Sequence, residues 1–231
     1  MKKTTIITGL LLSSVLNAQT IAKDPNLVEG SINTGYVIEG GAVLVSDPSD
    51  TSTVTPGSVS CSAGGLHADN SYFRFFDIDG LGQIEVTDVD IGIETAASGT
   101  GTDQPIVLRL HAIPNGGTLP SATLTLVTEV TTVLANASAA VVNFPIAGNF
   151  DAATQDLVLE VFTPDGQTDN HSIFVGSNAS AQNNETFLQA ADCGITEPTS
   201  VSAIGFPDMH VIMVVNGLAN VPVELMNFSI E

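Results

Sequence analysis

The sequence predicts an all-β fold, an antiparallel β-sandwich of jelly-roll type closed by one disulfide. Val, Ile and Thr are plentiful while Lys and Arg together number only five, a composition that suits strands and leaves few residues for surface helices. Short alternating stretches of apolar and polar residues recur between Gly- and Asn-rich turns, which is typical of sandwiches and jelly rolls. A closed barrel is the alternative architecture.

The first eighteen residues predict a cleavable signal peptide. Lys2 and Lys3 provide a positive start, residues 5–15 form an apolar stretch too short to span a bilayer, and Ala18 offers a small residue at the cut. A second candidate cut follows Ala22. We therefore expect a bacterial-type protein that is secreted or held at the cell surface, with the periplasm as the alternative, and no transmembrane segment after cleavage.

Four segments divide the chain. Residues 1–18 are the signal peptide, 19–34 a polar and mobile lead-in, 35–218 the β-sandwich domain, and 219–231 a C-terminal linker or edge strand. Without the signal peptide, three basic residues face 25 acidic ones, a net charge of −22. A surface this negative repels nucleic acid, whereas divalent cations and basic partners are compatible with it.

The strand patterns predict which residues share a face. Between residues 84 and 93 the apolar alternation changes phase, so we expect a bulge near Thr87 and Asp88. In the stretch 106–112 the even-numbered apolar residues share one face, and Arg109 and His111 share the other. Pro145 cannot donate to a β-ladder, which predicts an edge strand. The apolar run 211–215 indicates a central strand covered on both faces.

Cys61 and Cys193 are predicted to form the disulfide. They are the two cysteines of the chain, and an even count in an exported protein indicates pairing. The chain-entropy model assigns a closed loop of roughly 130 residues about 4–5 kcal/mol of stabilisation. Two free thiols or a two-cysteine metal site are the alternatives, and no clustered His or Cys supports the latter.

Several segments together resemble a known kind of domain. They are DNSYFRFFDIDG (69–80), VTDVDIGIETA (86–96), QPIVLRLHAI (104–113), LVLEVFTPDG (157–166), SIFVGSN (172–178) and DCGITEPTSVSAIGFPDMHVIMVVNG (192–217). The set resembles an uncharacterised secreted bacterial β-sandwich domain that is often appended to extracellular peptidases and surface proteins. The resemblance implies an accessory module without catalytic residues of its own. We expect this chain to depart from that setting, because no peptidase domain accompanies the resemblance within residues 1–231.

Calcium is the leading chemical hypothesis. Asp77 and Asp79 stand two residues apart before Gly80, and Asp88 and Asp90 form a second alternating pair. Calcium takes six to eight oxygen ligands, which acidic loops can supply. Solvated surface carboxylates or a capped turn are the plainer interpretation, because such pairs arise easily in an acidic chain. No other cofactor is predicted.

The remaining residues favour no catalytic mechanism. The chain lacks a G-x-S-x-G elbow and an H-E-x-x-H motif, and its four histidines (His67, His111, His171 and His210) are scattered. Sugar platforms usually use exposed Trp or Tyr, and this chain has no Trp and two Tyr. Arg74 and Arg109 lie within strand patterns, and each is expected to meet an acidic neighbour across its sheet.

These observations predict a secreted, non-catalytic interaction or accessory module that acts in adhesion, surface association or partner docking. Its partner would be a protein or a glycan at the cell envelope or outside it. A calcium-assisted carbohydrate-binding protein is the alternative, and a secreted hydrolase is the third. An exposed apolar surface or edge strand would favour the first, a shallow polar site the second, and a cleft with mutually hydrogen-bonded titratable groups the third.

Overall fold

The computed structural model of the chain describes residues 20–23, 42–101, 103–120 and 122–220. Within these ranges the fold is nearly all β, with one 3-10 turn at Ala191–Cys193. The strands, in chain order, are β1 (Thr20–Lys23), β2 (Ala42–Asp47), β3 (Val59–Ala63), β4 (Leu66–His67), β5 (Asn70–Phe76), β6 (Gln83–Ser98), β7 (Gln104–Pro114), β8 (Thr125–Leu134), β9 (Ala137–Asp151), β10 (Gln155–Thr163), β11 (His171–Val175), β12 (Ser177–Asn178), β13 (Thr186–Ala190), β14 (Ile195–Ser200), β15 (His210–Val211) and β16 (Met213–Asn220).

Two antiparallel sheets form the body of the sandwich. The six-stranded sheet has the order β14-β13-β5-β10-β7-β8, and the five-stranded sheet has the order β11-β6-β16-β2 with β9 paired to β6. Smaller pairings join β1, β3 and β4, and β12 with β15. The prediction of a disulfide-closed antiparallel β-sandwich is therefore confirmed, whereas the jelly-roll connectivity stays a prediction.

The core lies between the two main sheets because each contributes one alternating apolar face. Burial of such side chains is the main favourable term in folding, at roughly 25 cal/mol per Å² of apolar surface. From the six-stranded sheet the core includes Ile106, Leu108, Leu110, Leu157, Leu159 and Val161. From the five-stranded sheet it includes Val89, Ile91, Ile93, Phe144, Met213 and Val215.

The change of phase in β6 is a β-bulge, as predicted. The ladder between β6 and β9 shifts register between Val86 and Asp88, and the ladder between β6 and β16 shifts opposite the same point. The extra residue lets Val86 and Val89 both face the core. It also turns Asp88 and Asp90 together onto the opposite face of the sheet.

The strands at the edges and centre follow their sequence patterns. β9, which contains Pro145, pairs with β6 and has no second strand partner in the described ranges, which confirms the predicted edge. The apolar run 211–215 contributes to β16, which lies between β6 and β2 in the five-stranded sheet. The central position predicted for this run is confirmed for residues 213–215, whereas Val211 belongs to β15, which pairs with β12.

The disulfide joins two sheets. Cys61 on β3 bonds to Cys193 at the end of the 3-10 turn that follows β13, with their Cα atoms 5.9 Å apart. The predicted pairing is therefore confirmed, and it links the small sheet β1-β3-β4 to the six-stranded sheet. Disulfides of this kind form and persist in oxidising compartments.

Three predicted segments lie mostly outside the described residues. The signal peptide, residues 1–18, lies wholly outside them. Within the segment 19–34, for which we predicted a mobile lead-in, the structure describes Thr20–Lys23, and these residues pair with β3 as β1. Of the segment 219–231, residues 219–220 end β16 and the others lie outside the description.

Candidate functional site

Asp77 and Asp79 meet a third carboxylate. They lie in the turn after β5, where Gly80 has a positive φ of 81°, and Asp156 reaches them from β10. Carboxylate oxygens of these three residues all lie within 4.8 Å of one another. We call Asp77, Asp79 and Asp156 the turn cluster. Its two sequence-predicted members are exposed, and the member that sequence reasoning missed is buried.

Hydrogen bonds hold the turn cluster in place. Asp156 accepts from the backbone amides of Ile78 at 3.3 Å and Gly116 at 3.0 Å, and Asp79 accepts from the side-chain amide of Asn115 at 2.9 Å. Burial raises the pKa of Asp156, and the neighbouring charges of Asp77 and Asp79 act in the same direction. The cluster therefore concentrates negative charge beside a hollow of about 670 Å³ that Asp77, Asp79 and Asp47 help to line.

Asp88 and Asp90 lie on one face of β6 and meet two asparagines. Asn143 on β9 donates from Nδ2 to Asp88 Oδ1 at 2.6 Å and to Asp90 Oδ1 at 2.7 Å. Asn216 on β16 donates from Nδ2 to Asp88 Oδ1 and Asp90 Oδ2, both at 2.9 Å. We call these four residues the sheet cluster. Both aspartates are buried, with 3% and 1% of their surface exposed, so they are not solvated surface groups.

Arg74 is buried between the sheets. It lies on β5 between Tyr72 and Phe76, which both belong to the core, and its guanidinium forms an ion pair with Asp47 at 3.0 Å. Burial lowers the pKa of Arg74 to about 10, against the opposing effect of the Asp47 charge. Arg74 therefore meets an acidic neighbour, as predicted, but the predicted position across its own sheet was wrong, because Asp47 lies on β2 of the other sheet. The phase of β5 places this side chain inside the sandwich.

Arg109 does meet acidic neighbours across its sheet. Its Nε donates to Glu129 at 2.6 Å and its Nη1 to Glu160 at 2.7 Å, and both partners stand opposite it in the β-ladders. The guanidinium also lies over the ring of Phe162, 5.0 Å from its centre. The sequence prediction is confirmed here because strand register alone brings these charges together.

Glu160 binds a histidine and a serine as well as Arg109. Its second carboxylate oxygen lies 2.8 Å from His111 Nε2, and Ser71 Oγ donates to its first at 2.7 Å. Burial opposes the charge on Glu160, but the hydrogen bonds from His111 and Ser71 and the Arg109 charge outweigh it, so the pKa of Glu160 is lowered. Ser71 contacts the carboxylate and not the imidazole, so the group lacks the direct serine–histidine hydrogen bond of a Ser-His pair.

The open edge of β8 carries exposed apolar side chains. Leu126, Val127 and Val133 expose 53%, 37% and 57% of their surface. β8 pairs with β7 on one side and ends the six-stranded sheet, and no second strand forms a ladder with it within the described residues. Its contact with β9 includes one hydrogen bond, from Thr128 Oγ1 to the carbonyl oxygen of Ala147 at 2.7 Å. We call this strand, with its exposed side chains, the β8 edge. Sequence reasoning missed it because alternation does not tell which strand ends a sheet.

Comparison with protein-family models, with curated proteins and with solved structures finds no match to this chain. In the part of the chain that the structure describes, no helix has the length and apolar character that a bilayer span requires.

Proposed function

We propose that this chain is an exported, non-catalytic interaction module that binds an extended segment of a partner protein along the β8 edge. The observation that carries the proposal is the concentration of exposed apolar side chains on one strand. Of the four large hydrophobic residues exposed in the described ranges, three lie on β8 and the fourth is Leu218. An exposed, long and apolar edge strand is a template for pairing with another chain.

The composition of β8 supports strand addition. Its ten residues, TLVTEVTTVL, include one charged residue, Glu129, and no Lys or Pro. Natural edge strands are usually protected from pairing by such residues or by a covering element. Glu129 is itself engaged by Arg109, which leaves the strand locally neutral within a strongly acidic protein. Backbone hydrogen bonds along such an edge give affinity, and alternate side chains give specificity.

Charge complementarity indicates the chemistry of the partner segment. The net charge of −20 attracts cationic chains over long distances and repels a second copy of this protein. The proposed occupant is therefore an extended segment that alternates apolar with basic residues. Its apolar side chains would pack beside Leu126 and Val133, while its basic side chains would face the acidic surface.

The non-catalytic part of the proposal is supported by the group around Glu160. Ser71 and His111 both contact Glu160, and the side chains of His111 and Glu160 are almost fully buried.

A peptide-binding measurement tests the proposed function. The probe is a fluorescent ten-residue peptide of alternating Val and Lys, titrated with the protein and followed by fluorescence anisotropy. We expect Val133→Lys to weaken binding at least tenfold, because the lysine would place a charge against the apolar side chains of the peptide and remove an apolar contact. The thermal midpoint should stay nearly unchanged, since surface substitutions rarely exceed about 0.5 kcal/mol.

The matched control is Leu218→Lys, which makes the same kind of change at the exposed residue of β16. It should bind the peptide as the unmodified protein does. Equal weakening by both variants would show that charge alone decides binding, and the proposal would fail. It would fail as well if a peptide with Pro at alternate positions, which cannot complete a ladder, bound equally tightly. Dimers of the protein dispersed by Val133→Lys would instead identify a second copy as the occupant.

A further inference from the structure

The sheet cluster is a group of charges without a described counter-charge. Asp88 and Asp90 lie on the central part of β6, and each stands opposite one of the two asparagines in a neighbouring ladder, Asp90 opposite Asn143 and Asp88 opposite Asn216. In the described residues, the ion pairs of Lys, Arg and His all involve other carboxylates. Transfer of an uncompensated carboxylate into the protein interior costs several kcal/mol.

A second observation points to a ligand at the same place. Asn216 is fully buried, and its side-chain oxygen has no hydrogen-bond partner among the residues that the structure describes. The nitrogen of the same amide lies 2.9 Å from both carboxylates. An amide oxygen and nitrogen have nearly the same shape, so rotation of the side-chain amide by half a turn exchanges them. That rotation would direct the partnerless oxygen at Asp88 and Asp90.

Rotated amides would complete an oxygen-only set of ligands. Asn143 Nδ2 lies within 2.7 Å of both carboxylates, so its amide oxygen would replace the nitrogen at the same point. An oxygen in that position is favourable when a cation lies between it and the carboxylates. Thr87 donates to Asp88 Oδ2 at 2.7 Å, which leaves Asp88 Oδ1 directed at the two asparagines.

We propose that Asp88, Asp90, Asn143 and Asn216 bind one calcium ion. Two carboxylates balance the charge of a divalent cation, and carboxylate and amide oxygens are the ligands that calcium prefers. The four side chains supply up to five oxygens, and water completes the six to eight that calcium takes. Because Asn143 is only partly buried and lies on the edge strand β9, the ion has access from that side. This proposal is independent of the β8 edge.

Calcium binding would connect three strands through one ion. β9, β6 and β16 each contribute at least one ligand, so the ion stabilises the folded protein and has no comparable site in the unfolded chain. At free calcium a hundredfold above Kd, the thermal midpoint should rise by about 5–10 °C for a protein of this size.

The experiment measures thermal unfolding of the full chain with calcium and then with excess EDTA, together with isothermal titration calorimetry of the binding. The unmodified protein should show a reversible rise of the midpoint and one ion bound per chain. Asp88→Asn with Asp90→Asn should abolish both. In EDTA this double variant should melt no lower than the unmodified protein, because it removes two like charges and keeps side chains that can hydrogen-bond.

Two further double variants distinguish the sheet cluster from general acidity. Asp165→Asn with Asp169→Asn removes two exposed charges elsewhere and should leave the calcium effect intact. Asp77→Asn with Asp79→Asn reports on the turn cluster. Loss of the calcium effect in that variant, with its retention in the Asp88 and Asp90 variant, would overturn the proposal.

A single substitution tests the effect of an added carboxylate, where the variants above remove carboxylates. Asn143→Asp adds a carboxylate to the sheet cluster without removing any ligand. It should lower the midpoint in EDTA through charge repulsion and enlarge the rise that calcium produces. The absence of any calcium effect on the unmodified protein would also overturn the proposal, and a larger calcium effect in Asn143→Asp would support it.

Discussion

Two buried charged groups in this molecule differ in where their counter-charge comes from. Arg74 and Asp47 are both almost fully buried, and they neutralise each other across the space between the two main sheets. Asp88 and Asp90 are buried to the same degree, yet their described partners are neutral asparagines. Two of the five basic residues, Arg74 and Arg109, are paired with carboxylates elsewhere.

The difference shows how burial determines the contribution of a charge to the free energy of unfolding. In the interior, a charge is stable only with its partner, and removal of one partner costs far more than the pair contributes to stability. At the surface, water screens both members and the pair contributes little. The described ion pairs differ in burial, from the fully buried pair of Arg74 and Asp47 to the exposed pair of Arg109 and Glu129. Substitutions at Arg74, Glu160 and Glu129 therefore test how burial changes the contribution of a pair to stability.

The largest expected effect is at Arg74. Arg74→Met keeps the length of the side chain but leaves Asp47 buried without its positive partner, and it removes donors from the carbonyls of Asn184 and Val211. We expect a loss of about 3–5 kcal/mol in the free energy of unfolding, measured by urea denaturation. Arg109→Met, the same change at a partly exposed site, is the control. Equal losses in both variants would contradict the role given to burial.

An intermediate effect is expected at Glu160. Glu160→Gln removes the charge that Arg109, His111 and Ser71 contact, with an expected loss of about 2–3 kcal/mol at neutral pH. Because the pKa of Glu160 is lower in the folded protein, its stabilisation is complete above the ordinary carboxyl pKa of about 4.3 and disappears as the pH falls through the folded value. The variant should therefore lose less stability on acidification than the unmodified protein.

Urea denaturation at several pH values between about 6 and 3 measures this difference. Parallel pH profiles for Glu160→Gln and the unmodified protein would show that Glu160 titrates alike in the folded and unfolded chains, contrary to the prediction.

The smallest effect is expected at Glu129. Its side chain is 46% exposed and shares Arg109 with Glu160. Exposed ion pairs contribute about 0.2–1 kcal/mol, so Glu129→Gln should reduce stability by no more than that, and less so at high salt. A loss as large as that of Glu160→Gln would show that exposure does not weaken the pair.

Local pattern predicted the strands well. The change of phase around Thr87 predicted the bulge, Pro145 predicted the edge, and the two cysteines predicted the disulfide. The bulge and the edge depend on residues close in sequence. The disulfide was predictable because two cysteines permit only one pairing within the chain. An acidic neighbour for Arg109 was predictable, although not which residue it is, because paired strands place side chains opposite one another.

The clusters themselves were only partly predictable. Alternation placed Asp88 and Asp90 on one face, but Asn143 and Asn216 join them from strands 53 and 126 residues away from Asp90. Asp156 joins Asp77 and Asp79 in the same way. Such contacts depend on which strands are neighbours and in what register, and neither is encoded in the pattern of a single strand. The sequence also predicted that Arg74 lies in a strand, but it did not indicate that the side chain is on the face of that strand that points into the sandwich.

The place of β16 in the five-stranded sheet has a consequence for biosynthesis. This late strand lies between β6 and β2, which are made much earlier. Until residue 220 has been synthesised, β2 lacks the neighbour that joins it to the sheet, and the core lacks Met213 and Val215. Contacts between residues so distant in sequence form slowly. A nascent chain therefore stays incompletely folded until β16 has been synthesised, so cooperative folding follows the synthesis of this strand.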